Sequence, residues 1–241
     1  MTIRAPDIFL ATRRREAEWM DAPEADPVLL ERSLRFIRRV NRLFGYTRAT
    51  LWHLERFSRR WKPGETIRLI DFATGSGDVP LAIARWATKR GLDVEIIGVD
   101  LHERTCDAAR AATRHEPRIR IVHSDVLALP FEAGSFDYAL SSMFLHHLDD
   151  EQIVAVLRAM DRVARRGILA ADLLRRRRAY AWISLFTLFS NPMLRHDARV
   201  SVAQALSEPE VLDLATQAGV SYARLHRHSA HRFVLAGEKP A

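Results

Sequence analysis

The chain has 241 residues, 48% of them hydrophobic, which is enough apolar material to bury the core of one domain. Its net charge is +7, and arginine carries nearly all of the basicity because lysine occurs only at positions 62, 89 and 239. The single cysteine, Cys106, excludes a disulfide framework and a paired-cysteine metal site. We interpret the arginine excess as the solubilising usage of a GC-rich genome; the alternative is a basic surface that attracts nucleic acid or anionic lipid.

Residues 1–62 are predicted to form a helical cap that precedes the main domain. Asp26 and Pro27 have the character of an N-cap and a first-turn proline. Apolar residues then recur at helical spacing up to Gly45, namely Leu30, Leu34, Ile37 and Val40. A second helix is expected from Thr47 to Arg60. We interpret the cap as a lid whose segment around Asn41 reaches a cofactor or substrate; the alternative is a packed cap with a solvated basic face.

An apolar strand followed by a glycine-rich turn is the most informative feature of the chain. Residues 69–78 read Leu-Ile-Asp-Phe-Ala-Thr-Gly-Ser-Gly-Asp and lead into a helix that starts near Asp78 and ends at Gly91. Such a turn points backbone N–H groups at a nucleotide-like ligand, and its glycines leave no side chain in between. Pro80 stands where a dinucleotide fingerprint has its third glycine, which argues against NAD or FAD and favours a smaller adenosine ligand.

Further strands follow at the spacing of an α/β domain. The second strand, 93–100, ends in Asp100, an acid that can accept hydrogen bonds from both hydroxyls of a ribose. Later strands are expected at 118–123, 136–141, 168–172, 220–227 and 231–236, which makes seven in all. Helices are predicted to begin at Asp149 and at a capping box that starts with Ser207. The sequence contains neither a phosphate-loop motif nor the tyrosine–lysine pair of short-chain dehydrogenases.

The order of these segments resembles a class I S-adenosylmethionine (SAM) dependent methyltransferase. The stretch from Asp125 to Leu148, with Leu-Pro-Phe, Ser-Phe-Asp and Leu-His-His-Leu, is similar to the ubiquinone/menaquinone-biosynthesis type and to bacterial methyltransferases of polyketides and phenolics. The resemblance covers roughly residues 65–175. It implies an α/β, Rossmann-like, seven-stranded mixed sheet flanked by helices, with the last strand antiparallel, in a SAM-binding domain at residues 63–241.

The resemblance also implies roles for the residues at the strand ends. Asp71 and the turn from Ala73 to Gly77, including Thr74 and Gly75, would face the methionine moiety of SAM. Asp100 would hold the ribose and Leu101 would pack on the adenine. Asp125 would accept from the adenine amine, Val126 would offer its backbone N–H, and Ser142 would line the sulfonium pocket.

Methyl transfer to an oxygen acceptor usually needs a base, and three histidines are candidates. His147 and His146 follow the fourth strand, where the acceptor meets the methyl group, although the same histidines could make a structural hydrogen bond. His196 lies beside Asp197 and could be a base held by its neighbour, or a surface residue. A metal site made by His226, His228 and His231 is not expected, since no acid or cysteine accompanies them.

An apolar insertion spans residues 175–200, and its run from Ala179 to Phe189 is too short to span a bilayer. Three interpretations stay open: core packing, a lid over an apolar acceptor, or an interfacial membrane contact. In the lid interpretation Trp182 and Phe186 bind the substrate.

The predicted function is methyl transfer from SAM, giving S-adenosylhomocysteine, to a small apolar or aromatic acceptor, with O-methylation of a phenol, quinol or polyketide favoured. The alternatives are a tRNA, rRNA or protein methyltransferase and a SAM-binding partner without catalysis. Nucleic acid is not the expected partner, peripheral membrane contact stays open, and the oligomeric state is not predicted. The N-terminus lacks the apolar core of a signal peptide, so a cytoplasmic location is expected.

Overall fold

Seven strands form one mixed sheet in the part of the chain that the computed structural model describes, which is residues 10, 12–21, 26, 28–29, 32–33 and 46–240. The strands are β1 Thr66–Phe72, β2 Asp93–Asp100, β3 Ile119–His123, β4 Phe136–Ser142, β5 Ala164–Leu173, β6 Arg224–His228 and β7 Arg232–Glu238. The helices are α1 Tyr46–Ser58, α2 Asp78–Arg90, α3 Glu103–Thr113, α4 Asp150–Val163, α5 Arg177–Phe186, α6 Pro192–Gln204 and α7 Glu208–Gln217, with short 3₁₀ turns at Trp19–Asp21 and Leu145–His147.

The strand order is β3-β2-β1-β4-β5-β7-β6. Strands β1 to β5 are parallel, and β7 runs antiparallel to both β5 and β6. The predicted Rossmann-like mixed sheet with an antiparallel last strand is therefore confirmed. Helices connect β1 to β2, β2 to β3 and β4 to β5, and together with α1 and α7 they cover both faces of the sheet.

The two faces of the sheet carry separate apolar cores. On one face, strand residues such as Ile70 and Phe72 pack with the buried sides of α4 and α7. On the other, Ile67 and Leu69 pack with α1, α2 and α3. Alternate residues of β1 thus point to opposite cores, as a strand period of two requires. Asp71 shares its side with Leu69, so a carboxyl enters a layer that is otherwise apolar.

The predicted strand at 220–227 begins four residues too early. Residues 220–223 form a turn, closed by the Ala223 N–H donating to the Val220 carbonyl at 2.9 Å. Val220 and Ala223 are both buried in the core, which gives the turn the apolar pattern of a strand. Close packing fixes the turn, because a Cβ placed on Gly237 would lie 2.6 Å from the Ala223 Cα.

The N-terminal region is described in part. The Asp26 carboxylate accepts hydrogen bonds from the N–H groups of Val28 and Leu29, at 2.8 and 2.9 Å, as an N-cap does, and residues 28–29 and 32–33 are helical. The apolar positions Leu34, Ile37 and Val40, together with Asn41 and Gly45, lie outside the described residues. The next helix, expected at 47–60, is α1 at Tyr46–Ser58. The division of the chain at residue 62 stays a prediction.

The insertion at 175–200 consists of two helices. Arg175, at its start, is buried and makes a bidentate ion pair with Glu210 at 2.7 and 2.9 Å. Asn191 caps α6 by accepting from the Leu194 N–H at 2.9 Å, and Pro192 occupies the first turn. Helix α6 contacts the turns Trp19–Asp21 and Leu145–His147. The insertion therefore lies at the edge of the sheet where β4 and β5 end.

Candidate functional site

The carboxyl ends of the parallel strands meet at a switch point between β1 and β4. The chain leaves β1 toward β2 and β3 on one side and returns to β4 on the other. Ligands of open α/β sheets bind outside the strand ends at such points. The residues predicted to bind the cofactor all lie at or just beyond these strand ends: Asp71, Ala73, Thr74, Gly75, Gly77, Asp100, Leu101, Asp125, Val126 and Ser142.

The turn after β1 is held in an unusual backbone conformation. Ala73, Gly75 and Gly77 all have positive φ angles, at 55°, 55° and 77°. Positive φ is the region that favours glycine, so Ala73 carries local strain. A Cβ on Gly77 would lie 3.0 Å from the Thr113 side chain, whereas a Cβ on Gly75 would meet nothing within 4 Å. Gly77 thus permits close packing on α3, and the space over Gly75 is open for a ligand.

Asp71 is a buried carboxyl with one oxygen unused. Its Oδ2 accepts a hydrogen bond from the Thr74 hydroxyl at 2.8 Å, while its Oδ1 has no partner among the described residues. Burial, with a smaller contribution from the charge of Asp100, raises the pKa of Asp71 to about 7. A buried carboxyl with an oxygen that has no hydrogen-bond partner suits a cationic ligand, because the positive charge would offset the free-energy cost of ionising the carboxyl.

Asp100 at the end of β2 organises the glycine turn. Its Oδ2 accepts from the Gly75 N–H at 3.0 Å and its Oδ1 from the His102 N–H at 3.1 Å. A carboxylate has about four acceptor positions, so each oxygen keeps capacity for a ligand hydroxyl. The adjacent Leu101 is exposed and offers an apolar surface beside it.

Asp125 and Val126 follow β3. One Asp125 oxygen accepts from the Leu127 N–H at 2.8 Å, and the Val126 side chain is buried in the core. At the end of β4, the hydroxyls of Ser141 and Ser142 are buried and have no partner among the described residues. Met143 follows with a φ of 58°, a second strained position at this edge. Unpartnered polar atoms at the ends of both β1 and β4 indicate a polar ligand between these strands.

His146 and Asp172 form a buried pair at the ends of β4 and β5. The ring Nδ1 of His146 lies 2.7 Å from Asp172 Oδ1, and the His146 backbone N–H donates to Asp172 Oδ2 at 3.1 Å. Burial alone would raise the pKa of Asp172, but its interactions with His146 and the Leu173 N–H hold it below its usual value. With Nδ1 bound to the carboxylate, Nε2 is the nitrogen that can accept a proton.

Glu18 and His147 complete a small cluster around His146. Glu18 is buried, accepts from the Ser201 hydroxyl at 2.5 Å, and has its Oε1 3.9 Å from His146 Nε2, too far for a hydrogen bond. His147 is exposed, and its ring centroid lies 4.2 Å from that of His146. A cavity of about 340 Å³ opens onto both histidines and Glu18. Among the described residues, these three are the group whose ligand atoms converge within 4.8 Å, so they could also hold a metal ion.

His196 lies within α6 rather than on a loop. Its Nδ1 lies 2.9 Å from Asp197 Oδ1, its Nε2 lies 3.2 Å from Glu16 Oε1, and its ring stacks on Trp19 with centroids 4.1 Å apart. Both ring nitrogens therefore have partners. Asp197 also accepts from the backbone N–H groups of Trp19 and Met20. This network attaches the N-terminal segment to α6.

The C-terminal histidines do not converge on one point. His226 and His228 belong to the edge strand β6, and their rings face His53 of α1. His53 Nε2 and His228 Nε2 are 3.1 Å apart. Burial, with added repulsion from its histidine and arginine neighbours, lowers the pKa of His53 to about 3. His231 lies in the β6–β7 turn. In the part of the chain described, His226, His228 and His231 do not form a convergent group of metal ligands.

The two predicted substrate-binding aromatics lie on α5. Trp182 and Phe186 stack on each other with centroids 4.9 Å apart, and each is 40% exposed. That exposure argues against the core interpretation of this segment. Asn41 lies outside the described residues, so its predicted contact stays a prediction.

Sequence reasoning missed three residues of this site: Glu18, Ser141 and Asp172. Ser141 adjoins the predicted Ser142, so the serine pair at the strand end was the available signal. Asp172 ends the predicted fifth strand, in the position where Asp71 and Asp100 end theirs. An aspartate near the end of a parallel strand occurs three times in the sequence, and this recurrence was the available signal for Asp172.

Comparison with known proteins agrees with this geometry. Residues 69–167 match the family described as "Methyltransferase domain". A demethylmenaquinone methyltransferase of Staphylococcus aureus (strain MRSA252) is 26% identical over 129 residues, which are 54% of this chain and 51% of that protein. The chain thus spans about half the length of the curated relatives that it matches.

Solved structures share the fold at low sequence identity. The magnesium protoporphyrin IX methyltransferase ChlM of Synechocystis PCC 6803, with bound SAH, has a TM-score of 0.60 at 14% identity and covers 92% of this chain and 91% of that one. The plantazolicin methyltransferase BamL has a TM-score of 0.65 at 12% identity, over 86% of this chain and 73% of that one. At these identities the likeness establishes a common fold.

Proposed function

Since residues 69–167 carry a methyltransferase domain within a Rossmann-like methyltransferase fold, we propose that this protein transfers a methyl group from SAM to a small apolar or aromatic acceptor. O-methylation of a phenol, quinol or polyketide is the favoured reaction. The observation that carries the proposal is the His146–Asp172 pair, which holds a proton-accepting nitrogen beside a cavity at the sheet edge that also carries the glycine turn.

The residues at the ends of β1 and β2 fit SAM. The orphaned oxygen of Asp71 suits the positive charge of the methionine part, and the open space over Gly75 allows the backbone to approach it. Asp100 retains acceptor capacity for ribose hydroxyls, and Leu101 offers an apolar surface for the adenine. Asp125 and Val126 would contact the adenine edge, and Ser142 would line the sulfonium pocket.

When bound, SAM would supply an electrophilic methyl group on a sulfonium: the O–C bond would form in line as the C–S bond breaks, and the sulfur would keep the electron pair in S-adenosylhomocysteine. The chain's part is to orient the acceptor and to take its proton. His146 Nε2 would accept the proton of the acceptor hydroxyl, and the Asp172 carboxylate would stabilise the resulting imidazolium through Nδ1. Glu18, 3.9 Å from Nε2, would add a second negative charge beside the protonated ring.

The acceptor side is assembled from several segments. His147 and the cavity beside it would receive the acceptor, and Trp182, Phe186 and Asn41 would contact its apolar part. Aromatic surface is a strong source of affinity for such an acceptor, at about 25 cal/mol per Å² of apolar area buried.

The test is methyl transfer from labelled SAM to a panel of phenols, quinols and RNA, run in parallel on wild type and on His146→Ala. We expect turnover of at least one phenol or quinol by wild type and loss of it in the variant, with SAM affinity by calorimetry unchanged. Turnover of RNA alone would establish the nucleic-acid alternative. SAM binding without methylation of any acceptor would favour a non-catalytic SAM-binding protein.

A further inference from the structure

Helix α5 and the turn after it expose their apolar side chains. Leu185 is 72% exposed and Phe189 is 96% exposed, and Leu188 between them is also exposed. We call these three residues, Leu185, Leu188 and Phe189, the α5 apolar face. Single exposed apolar residues are ordinary, but a contiguous group of them marks an interaction surface.

The inward side of the same segment is small or polar. Ala179 and Thr187 are buried, and Thr187 satisfies its hydroxyl on the Ile183 carbonyl at 2.7 Å. The Ser184 hydroxyl is buried with no partner among the described residues. The usual amphipathic arrangement is therefore inverted, since a helix that served only the core would turn Leu185 inward and Ser184 outward.

Positive charge surrounds the α5 apolar face. Residues 174–206 contain six arginines and one acid, Asp197, which is buried within α6. Two of these arginines are ion-paired with acids of α7, Arg175 with Glu210 and Arg176 with Glu208. Arg176, Arg177 and Arg178 are exposed at the start of α5, and Arg178 lies one turn before Trp182. Arg195 and Arg199 lie on the neighbouring α6. A second copy of this chain docked through the same face would bring two arginine groups together, which disfavours self-association.

We infer that the α5 apolar face, with Arg177 and Arg178, docks on an anionic lipid surface. The apolar side chains would enter the interface between headgroups and acyl chains, and the arginines would lie at the headgroups. Within the described residues, no helix has the length and apolarity to span a bilayer.

The position of this face also bears on the acceptor. Helix α5 begins four residues after β5 ends, at the sheet edge that carries Asp172 and His146. This part of the inference rests on the proposed function: the acceptor is then an apolar aromatic molecule that dissolves in the lipid and reaches the site from the membrane.

The experiment is co-sedimentation of the full chain with vesicles of phosphatidylcholine alone and of phosphatidylcholine mixed with phosphatidylglycerol, at low and high salt. Wild type should bind the anionic vesicles and dissociate at high salt. For the double variant Leu185→Ser with Phe189→Ser, the affinity for anionic vesicles should fall by at least a factor of about ten. For Arg178→Gln it should fall by a factor of about five. Leu212→Ser, an exposed leucine on α7, is the matched control and should bind like wild type.

Equal binding of the double variant and wild type would overturn the inference, as would failure of wild type to bind anionic vesicles. A wild-type dimer that the double variant dissociates would make a second copy the occupant and would also overturn it. Calorimetric SAM binding and methylation of a detergent-dissolved phenol test the proposed function separately, because neither depends on vesicles.

Discussion

Two buried aspartates lie near the ends of strands of the same sheet, and their pKa values are shifted in opposite directions. Asp71 at the end of β1 and Asp172 near the end of β5 are each 1% exposed. The pKa of Asp71 is raised to about 7, because burial is offset by little more than one hydroxyl. The pKa of Asp172 is lowered, because His146 and the Leu173 N–H compensate for its burial.

The difference shows which half of the site is complete before any ligand arrives. Asp172 already has its hydrogen-bond partner in His146, through both the ring Nδ1 and the backbone N–H, so the proton-transfer side is preorganised. Asp71 has one oxygen without a partner among the described residues, so on the cofactor side we expect a positively charged ligand to complete the interactions.

The largest effect should come from breaking the complete pair. We expect His146→Ala and Asp172→Asn each to lower kcat for methylation of a phenol by about 10²–10⁴, with SAM affinity close to wild type. His196→Ala is the matched control, because that ring has a similar carboxylate neighbour but both nitrogens are engaged. A comparable rate loss in His196→Ala would transfer the base assignment to α6. Raising the pH should reduce the loss in the His146 variant, as the acceptor then ionises unaided.

Asp100 tests whether the cofactor side is correctly placed. Its removal deletes an ionised acceptor for the ribose and the partner of the Gly75 N–H. Asp100→Ala should therefore weaken SAM binding by about 2–3 kcal/mol. Calorimetry would measure this directly, and unchanged affinity would contradict the assignment of the β2 end. NADH should not bind at comparable concentration.

The raised pKa of Asp71 predicts a pH-dependent affinity. With no ligand the carboxyl is half protonated near pH 7, and a cationic ligand requires it ionised. SAM binding should weaken by about tenfold per pH unit as the pH falls below about 7. Asp71→Asn should bind more weakly above pH 7 and lose this slope. A wild-type affinity that is flat with pH would show that Asp71 does not face the ligand's charge.

The two aspartates should also affect stability in opposite directions. A raised folded pKa gives Asp71 a contribution that is full below about pH 4 and is lost as the pH rises toward 7. A lowered folded pKa gives Asp172 a contribution that is full above about pH 4 and is lost as the pH falls through the folded value.

At about pH 8 without ligand, Asp71→Asn should raise Tm by several degrees, since about 1 kcal/mol corresponds to about 2–4 °C for a domain of this size. Asp172→Asn should lower Tm under the same conditions. If both variants changed Tm by the same amount in the same direction, the predicted difference between Asp71 and Asp172 would be contradicted.

The positions of the proposed cofactor residues at the strand ends could be predicted because each residue belongs to a local pattern, while their contacts with SAM stay a prediction. Asp71, Gly75, Gly77 and Asp100 each follow directly from an apolar strand and its turn. The seven-stranded mixed sheet with its antiparallel last strand and the capping box at Ser207 are confirmed for the same reason. Their positions follow from strand geometry and need no knowledge of distant contacts.

The acceptor half could not be predicted in the same way. His146 and His147 look alike in sequence, and what separates them is Asp172, 26 positions away, and Glu18 from the N-terminal segment. The apolar run from Ala179 to Phe189 left core, lid and membrane interpretations open, because the sequence does not show which side of α5 is covered by α6. The segment 220–223 resembled a strand because Val220 and Ala223 are buried, as residues of a strand would be. Its backbone hydrogen bond, however, closes a turn.

Ala73 gives the glycine turn a thermodynamic character that its φ angle of 55° alone does not express. A left-handed alanine costs about 1–2 kcal/mol relative to glycine, which the surrounding structure must sustain. In return, the methyl group removes many of the backbone conformations that glycine would sample in a mobile turn. The turn therefore loses less conformational entropy when a ligand binds, so the alanine exchanges folding stability for a smaller entropic cost of association.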